Sequence, residues 1–490
     1  VIEPNQTPNH RPYVSAPRVR RALAALALAT APLAACGPVA EGSGLEDSAA
    51  AVSGTLAERS LAVTDATILA RFSFGRTMDA LRASATSAAS GKRLASTETN
   101  TAVFQRWMRS FGNGADGCAR SNIDPQNYGI VCPRSAEAKL ATVDPFASPA
   151  SVSFVPVGLF NRFDLMPSNG AHCGEYRIVY AMRTGAGAPL SGRGFLIFEA
   201  VLPNPTPALG VDACLPVAQF WQSLTNDASV TSRAGKLERF FYTGGAVPGF
   251  APVVRAAHYG HVNEGATVLQ GRAGQVRTNM FVDGAEWHLR EYKLRTTCPS
   301  ATTCTLSFDH RPVKANPAEE LFAGSHTQST SFRTAFTAQI RRLIAPDVNR
   351  IAMTTSDTFN TFESSAQTGD VIYNNFDDAT MRTAIQTELT RLGSRLTVAN
   401  VLDRASTQTC GGCHQRSNGA NLGGGLLWPS SGGFVHIDER GRLSPALTLT
   451  FLPARLRTLE AFINARETAN GELSFVEGES ITGRPDDTAN

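Results

Sequence analysis

The sequence predicts an α+β fold: a mostly antiparallel β-domain flanked by helices and followed by a C-terminal helical segment. Three observations predict it. Between about 150 and 314, short runs rich in β-branched and aromatic residues are separated by turn residues. On both sides of that region, apolar residues recur at three- and four-residue spacing instead. The chain has 490 residues, enough for two to four units that each bury a core.

Residues 1–35 place Arg18, Arg20 and Arg21 ahead of an apolar run ending at Leu33, which is the layout of a signal peptide. A GTG codon read literally as valine would put the start at Val14. Residues 36–62 are rich in Ala, Gly, Ser and Glu with no apolar period, so they read as a flexible tether. The N-terminal helical region spans 63–149. There Ile68, Leu69, Phe72, Met78 and Leu81 mark a helix over about 64–84, and Val103, Trp107 and Phe111 mark another over about 101–111.

The β-rich domain spans 150–314. Its clearest strands begin at Ser153, Tyr176, Gly194 and Glu286, bounded by turns at Gly170, Pro203-Asn204-Pro205 and Asp283-Gly284. Six or more strands are expected, with a helical insertion near 214–242. Helices return over 315–394. Phe332, Phe336, Ile340 and Leu343 form one apolar face, and Met381, Ile385, Leu389 and Leu392 another. The segment 395–466 opens with a helix over about 397–407, capped by Thr397. It closes with one over about 453–466, with Pro453 in its first turn. Residues 467–490 form a polar tail. No internal repeat is present.

The formal charge of +3 comes from the N-terminus, where Arg11, Arg18, Arg20 and Arg21 face only Glu3. Taking these from 45 basic and 42 acidic residues leaves 41 of each. No basic tract remains to neutralise a phosphate backbone, which argues against nucleic acid as a partner. No GxSxG, P-loop or HExxH pattern occurs either.

Leu33-Ala34-Ala35-Cys36-Gly37 closes the apolar run and resembles a bacterial lipobox, in which the cysteine is acylated. The resemblance implies a mature protein anchored to a membrane through lipid on Cys36. Gly37 in place of Asp leans towards the outer membrane of the cell envelope. An ordinary secretory signal with a chance cysteine is the alternative. Nine cysteines are present. With Cys36 lipidated and Cys410 and Cys413 set aside, six remain in an oxidising compartment, where disulfides persist. The simplest un-nested pairing is Cys118–Cys132, Cys173–Cys214 and Cys298–Cys304. It rests only on short loop closure, so other connectivities stay open.

Cys410-Gly411-Gly412-Cys413-His414 carries the chemistry. Two thiols one helical turn apart match the two vinyl groups of a haem, and the adjacent imidazole supplies an axial nitrogen to iron. The helix entering it from Asn400 and the closing helix Leu456–Ile463 make 395–466 resemble a class I cytochrome c domain. That resemblance implies one covalent haem c on Cys410 and Cys413, with His414 as proximal ligand. Such domains bring a distal methionine from downstream, and none follows Met381 here. His436 is the foremost distal candidate, ahead of Met381 or Met353, and an open site is the remaining option. Gly423-Gly424-Gly425 and Trp428 could wrap a haem face or form a plain loop.

Two weaker clusters stand apart. His258, His261 and Glu264 have metal-ligand spacing, but Gly260 argues against a helix, and surface or strand positions fit them better. Asn161-Arg162-Phe163-Asp164 and Glu175-Tyr176-Arg177 place opposite charges beside Cys173, as an ion-pair network or as a ligand-binding rim. These expectations lead to electron transfer or redox sensing with an envelope partner. The alternatives are a periplasmic haem-dependent oxidoreductase and a non-enzymic surface-binding lipoprotein.

Overall fold

The computed structural model describes residues 56–469, apart from 87–89, 120–123, 125–127, 129, 261, 264–273, 283–285, 314–315, 317–320, 323–325, 367–371 and 376–377. The expected signal peptide over 1–35, Cys36, most of the tether, most of the polar tail and the Asp283-Gly284 turn lie outside the described residues, as do His261 and Glu264.

Alternation builds the sheet. Strands run over Ala62–Val63 (β1), Arg93–Leu94 (β2), Val152–Arg162 (β3), His172–Thr184 (β4) and Arg193–Pro203 (β5). They continue over Val262–Asn263 (β6), Gln275–Phe281 (β7), His288–Thr297 (β8), Thr303–Arg311 (β9) and Ser364–Ser365 (β10). The six long strands pair antiparallel in the order β3-β4-β5-β7-β8-β9, as a meander, with β1 and β2 on the outer edges. Only the two-residue pairings of β2 with β9 and of β6 with β8 are parallel. The expected β-domain is therefore one open sheet, and the helical insertion falls between β5 and β7.

One face of the sheet is covered by helices. Phe74–Ser84 (α1) and Asn100–Arg109 (α2) lay Phe74 and Trp107 on Tyr180, Phe198 and Phe308, with Trp107 stacked on Phe308 at 4.1 Å. Leu215–Thr225 (α3) and Val230–Glu238 (α4) cover the far end, where Trp221 stacks on Tyr176. The expected helix over 64–84 is broken: Ala66–Leu69 ends, and Ser73 caps α1 by accepting from the Arg76 amide. A hydroxyl cap at that position competes with a continuous helix.

Ser329–Leu343 (α5), Ala379–Arg391 (α6) and Val398–Ser406 (α7) pack together, with Phe322, Phe336 and Tyr373 in mutual contact. Thr397 caps α7 in a reciprocal box with Asn400. The last helix, Leu452–Ala469 (α8), continues a π-turn over Ala446–Phe451, so Pro453 lies inside the helical run, not at its start. Proline removes one N–H and crowds the preceding turn, which a π-turn accommodates. The two to four separate cores expected from length are not seen. Buried side chains from Ala57 to Ile463 form one hydrophobic cluster.

Disulfides join Cys118 to Cys132, Cys173 to Cys214 and Cys298 to Cys304. Cys173–Cys214 ties β4 to the start of the helical insertion, with both residues fully buried.

Candidate functional site

The other face of the sheet carries the C-terminal segment, and the site lies between them. α7 ends at Ser406, and after one turn the chain re-enters a helical turn at Cys410, with a π-turn over Gly412–Arg416. Cys410, Cys413 and His414 therefore lie at i, i+3 and i+4 of one turn, a spacing that puts them on one side. Gly412 lets this turn approach α7: a Cβ there would collide with the Ser406 carbonyl and the Thr409 hydroxyl.

His414 is held from behind. Its Nδ1 lies 3.0 Å from the Phe434 carbonyl oxygen. In that geometry Nδ1 carries the hydrogen and Nε2 the lone pair, the tautomer a metal-ligating imidazole needs. Phe434 has φ 64°, and among the described residues only Asn316 shares a positive φ without being glycine. A left-handed bulky residue costs about 1–2 kcal/mol. Here it aims a carbonyl at the motif's imidazole. Gln415 accepts from the Phe434 amide and from Ser431, tying the loop to the same turn.

Two cavities flank the motif. The larger, about 210 Å³, lies between the motif and the floor formed by β3, β4, β5, β7 and β8, and Cys413, His414 and His436 line its upper side. The smaller, about 150 Å³, is lined by Cys410, Cys413, His414 and Met353. Leu289 and Arg277 border both. His436 and Met353 thus each share a cavity with His414, while Met381 is buried within α6 and borders neither. His436 Nδ1 lies 3.0 Å from the Ser444 hydroxyl, and its Nε2 lies 3.7 Å from Cys413 Sγ. The rings of His414 and His436 are 4.8 Å apart between centroids.

The floor is ionic at one end. Arg162 forks onto Asp164, and Arg177 bridges Glu175 and Glu199. Arg277 joins Glu199 to Glu291. Burial pushes Glu175 above the usual carboxylate range, more than Arg177 beside it can offset. Glu199 is also buried, but Arg177 and Arg277 together hold it low. The two charged motifs form an ion-pair network, and Arg162 and Arg177 border the cavity.

No family model, curated protein or solved structure matches the chain.

Of the two readings left open for Gly423–Gly425 and Trp428, the plain loop fits, since neither borders either cavity. Trp428 is buried against Phe451, and the loop is pinned because Arg404 donates to the carbonyls of Leu422 and Gly423. The expectation for His258 is corrected: it is neither exposed nor in a strand. It is buried in a 3-10 turn, with Nδ1 2.9 Å from the Val253 carbonyl, and burial lowers its pKa to about 4. Sequence reasoning missed Arg277, Asn279 and Leu289 at the site, since β7 and β8 carry no motif. Among the described residues, no three His, Cys, Asp or Glu side chains converge as a metal-holding group. No helix there is long and apolar enough to cross a membrane.

Proposed function

We propose that the chain is an exported, lipid-anchored c-type haem protein acting in electron transfer or redox sensing, with haem attached at Cys410 and Cys413 and His414 as proximal ligand. The observation that carries this reading is the bond from His414 to the carbonyl of a left-handed Phe434, on a turn that presents both thiols beside two cavities. The donor set fits the group, because iron takes its equatorial ligands from the porphyrin and asks the protein for only one or two more. Bound there, the haem would supply a one-electron couple.

The chain's own residues do the rest. Cys410 and Cys413 tether, and Phe434 orients the imidazole. The apolar floor around Leu289, Ile197 and Phe195 excludes water. His436, whose ring lies 4.8 Å from that of His414, and Met353, which shares the smaller cavity with His414, are the two side chains that would serve as a second ligand.

The test is spectroscopic. Protein made with the cytochrome c maturation machinery should give a low-spin spectrum. His436→Ala or Met353→Ala, whichever removes the ligand, should turn it high-spin. A high-spin wild type that binds cyanide would replace the electron-transfer reading with an open-site oxidoreductase. A second reading draws on the Cys413–His436 contact: a dithiol beside an imidazole, with Cys413 Sγ 3.7 Å from His436 Nε2. It predicts colourless protein with two rapidly alkylated cysteines.

A further inference from the structure

Antiparallel register fixes which side chains share the cavity floor. Phe160 opposes Arg177, Arg177 opposes Glu199, and Glu199 opposes Gln275. The next row runs Val179, Ile197, Arg277 and Glu291, and the next Phe195, Asn279 and Leu289. Cross-strand partners project from the same face. The floor therefore changes along the strands from ionic to apolar.

The ionic row is not fully spent. Arg177 gives Nε to Glu175 and Nη1 to Glu199, and its Nη2 has no partner among the described residues. Arg277 by contrast commits all three nitrogens to Glu199 and Glu291. Glu199 serves two guanidinium groups, and burial works against ionisation of Glu175. Cationic charge at Arg177 is thus incompletely matched. At the other end, Asn279 is 7% exposed, borders the cavity and has no side-chain hydrogen-bond partner among the described residues. A guanidinium edge is the best protein match for a carboxylate, through paired N–H donors.

We infer that this floor is a subsite for an amphipathic organic acid, with its carboxylate on Arg177 Nη2 and its apolar body over Ile197, Phe195 and Leu289. Two sources share that chemistry: the propionate arms of a porphyrin held at the motif, or a diffusible acid. The first source rests on the haem reading above; the subsite itself does not.

The test uses the full chain without haem, both as wild type made without maturation machinery and as Cys410→Ser/Cys413→Ser. Each is titrated calorimetrically with phenylacetate and with neutral phenylacetamide. Saturable phenylacetate binding, at least ten-fold tighter than the amide, is expected. Arg177→Gln should weaken it ten-fold or more. Ile197→Trp, which fills the floor and leaves Arg177 in place, should do the same. No saturable binding, equal binding of the amide, or indifference to both variants overturns the inference. In haem-loaded protein, lost binding assigns the subsite to the propionates, and retained binding assigns it to a diffusible acid. Failure of haem to attach would remove the haem reading and leave the haem-free titration standing.

Discussion

Replacing Glu363 with glutamine should unfasten the strand that floors both cavities. Glu363 is buried opposite β8, where Oε2 accepts from Arg290 Nε at 2.6 Å and Oε1 lies 2.9 Å from His288 Nδ1. Leu289, between those two residues, points the other way into the site. Burial alone would raise the Glu363 pKa, but Arg290 and His288 bring it down to about 2 from 4.5. That difference is worth about 3 kcal/mol of native-state preference for the carboxylate. Because the folded value is depressed, the contribution is fully present above the unfolded value of about 4.3 and is lost as pH falls towards about 2. Glu363→Gln should therefore cost about 3–5 kcal/mol at pH 7, since Arg290 is left as an unpaired buried cation. The two proteins should converge near pH 2, where the native side chain is itself protonated. Urea denaturation at several pH values measures the gap. A gap below about 1 kcal/mol, or one that does not close on acidification, would refute the assignment.

Three further outcomes are expected. Gly412→Ala should lower haem content per chain several-fold and cost about 1–3 kcal/mol, because the added methyl meets the Ser406 carbonyl; haemochrome absorbance against protein mass, with thermal melting, checks both. Arg404→Met should cost about 3–5 kcal/mol, since a buried guanidinium that donates to the carbonyls of Leu343, Ala345, Leu422 and Gly423 is lost; faster amide exchange in 419–428 would locate the effect. Removing the Cys173–Cys214 bridge by double alanine substitution should cost about 4 kcal/mol from loop entropy, given its separation of 41 residues, measured as a lower urea midpoint.

The fold was legible where local rules decide it. Alternating runs located four of the six long strands, and Thr397 marked the start of α7 because a hydroxyl cap acts within one turn. Loop closure alone picked the disulfide pairs, whose sequence separations are 14, 41 and 6 residues. What the sequence could not supply was register. Nothing local says that Arg177, Ile197, Asn279 and Leu289 share one face beneath His414, since that depends on pairing across four strands. The same applies to Trp428. Its glycine-rich neighbours suggested a haem wrap, whereas Arg404, eighteen residues upstream of Leu422, pins them elsewhere. The Cys410–His414 motif was visible because its three donors lie within one turn, and His436 because so few histidines follow it.

The most direct measurement is the intact mass of the purified, denatured chain after expression with the maturation machinery. The account predicts one haem retained through denaturation, with Cys410 and Cys413 both resistant to alkylation after reduction. A chain of unmodified mass, with both thiols alkylated, would contradict it.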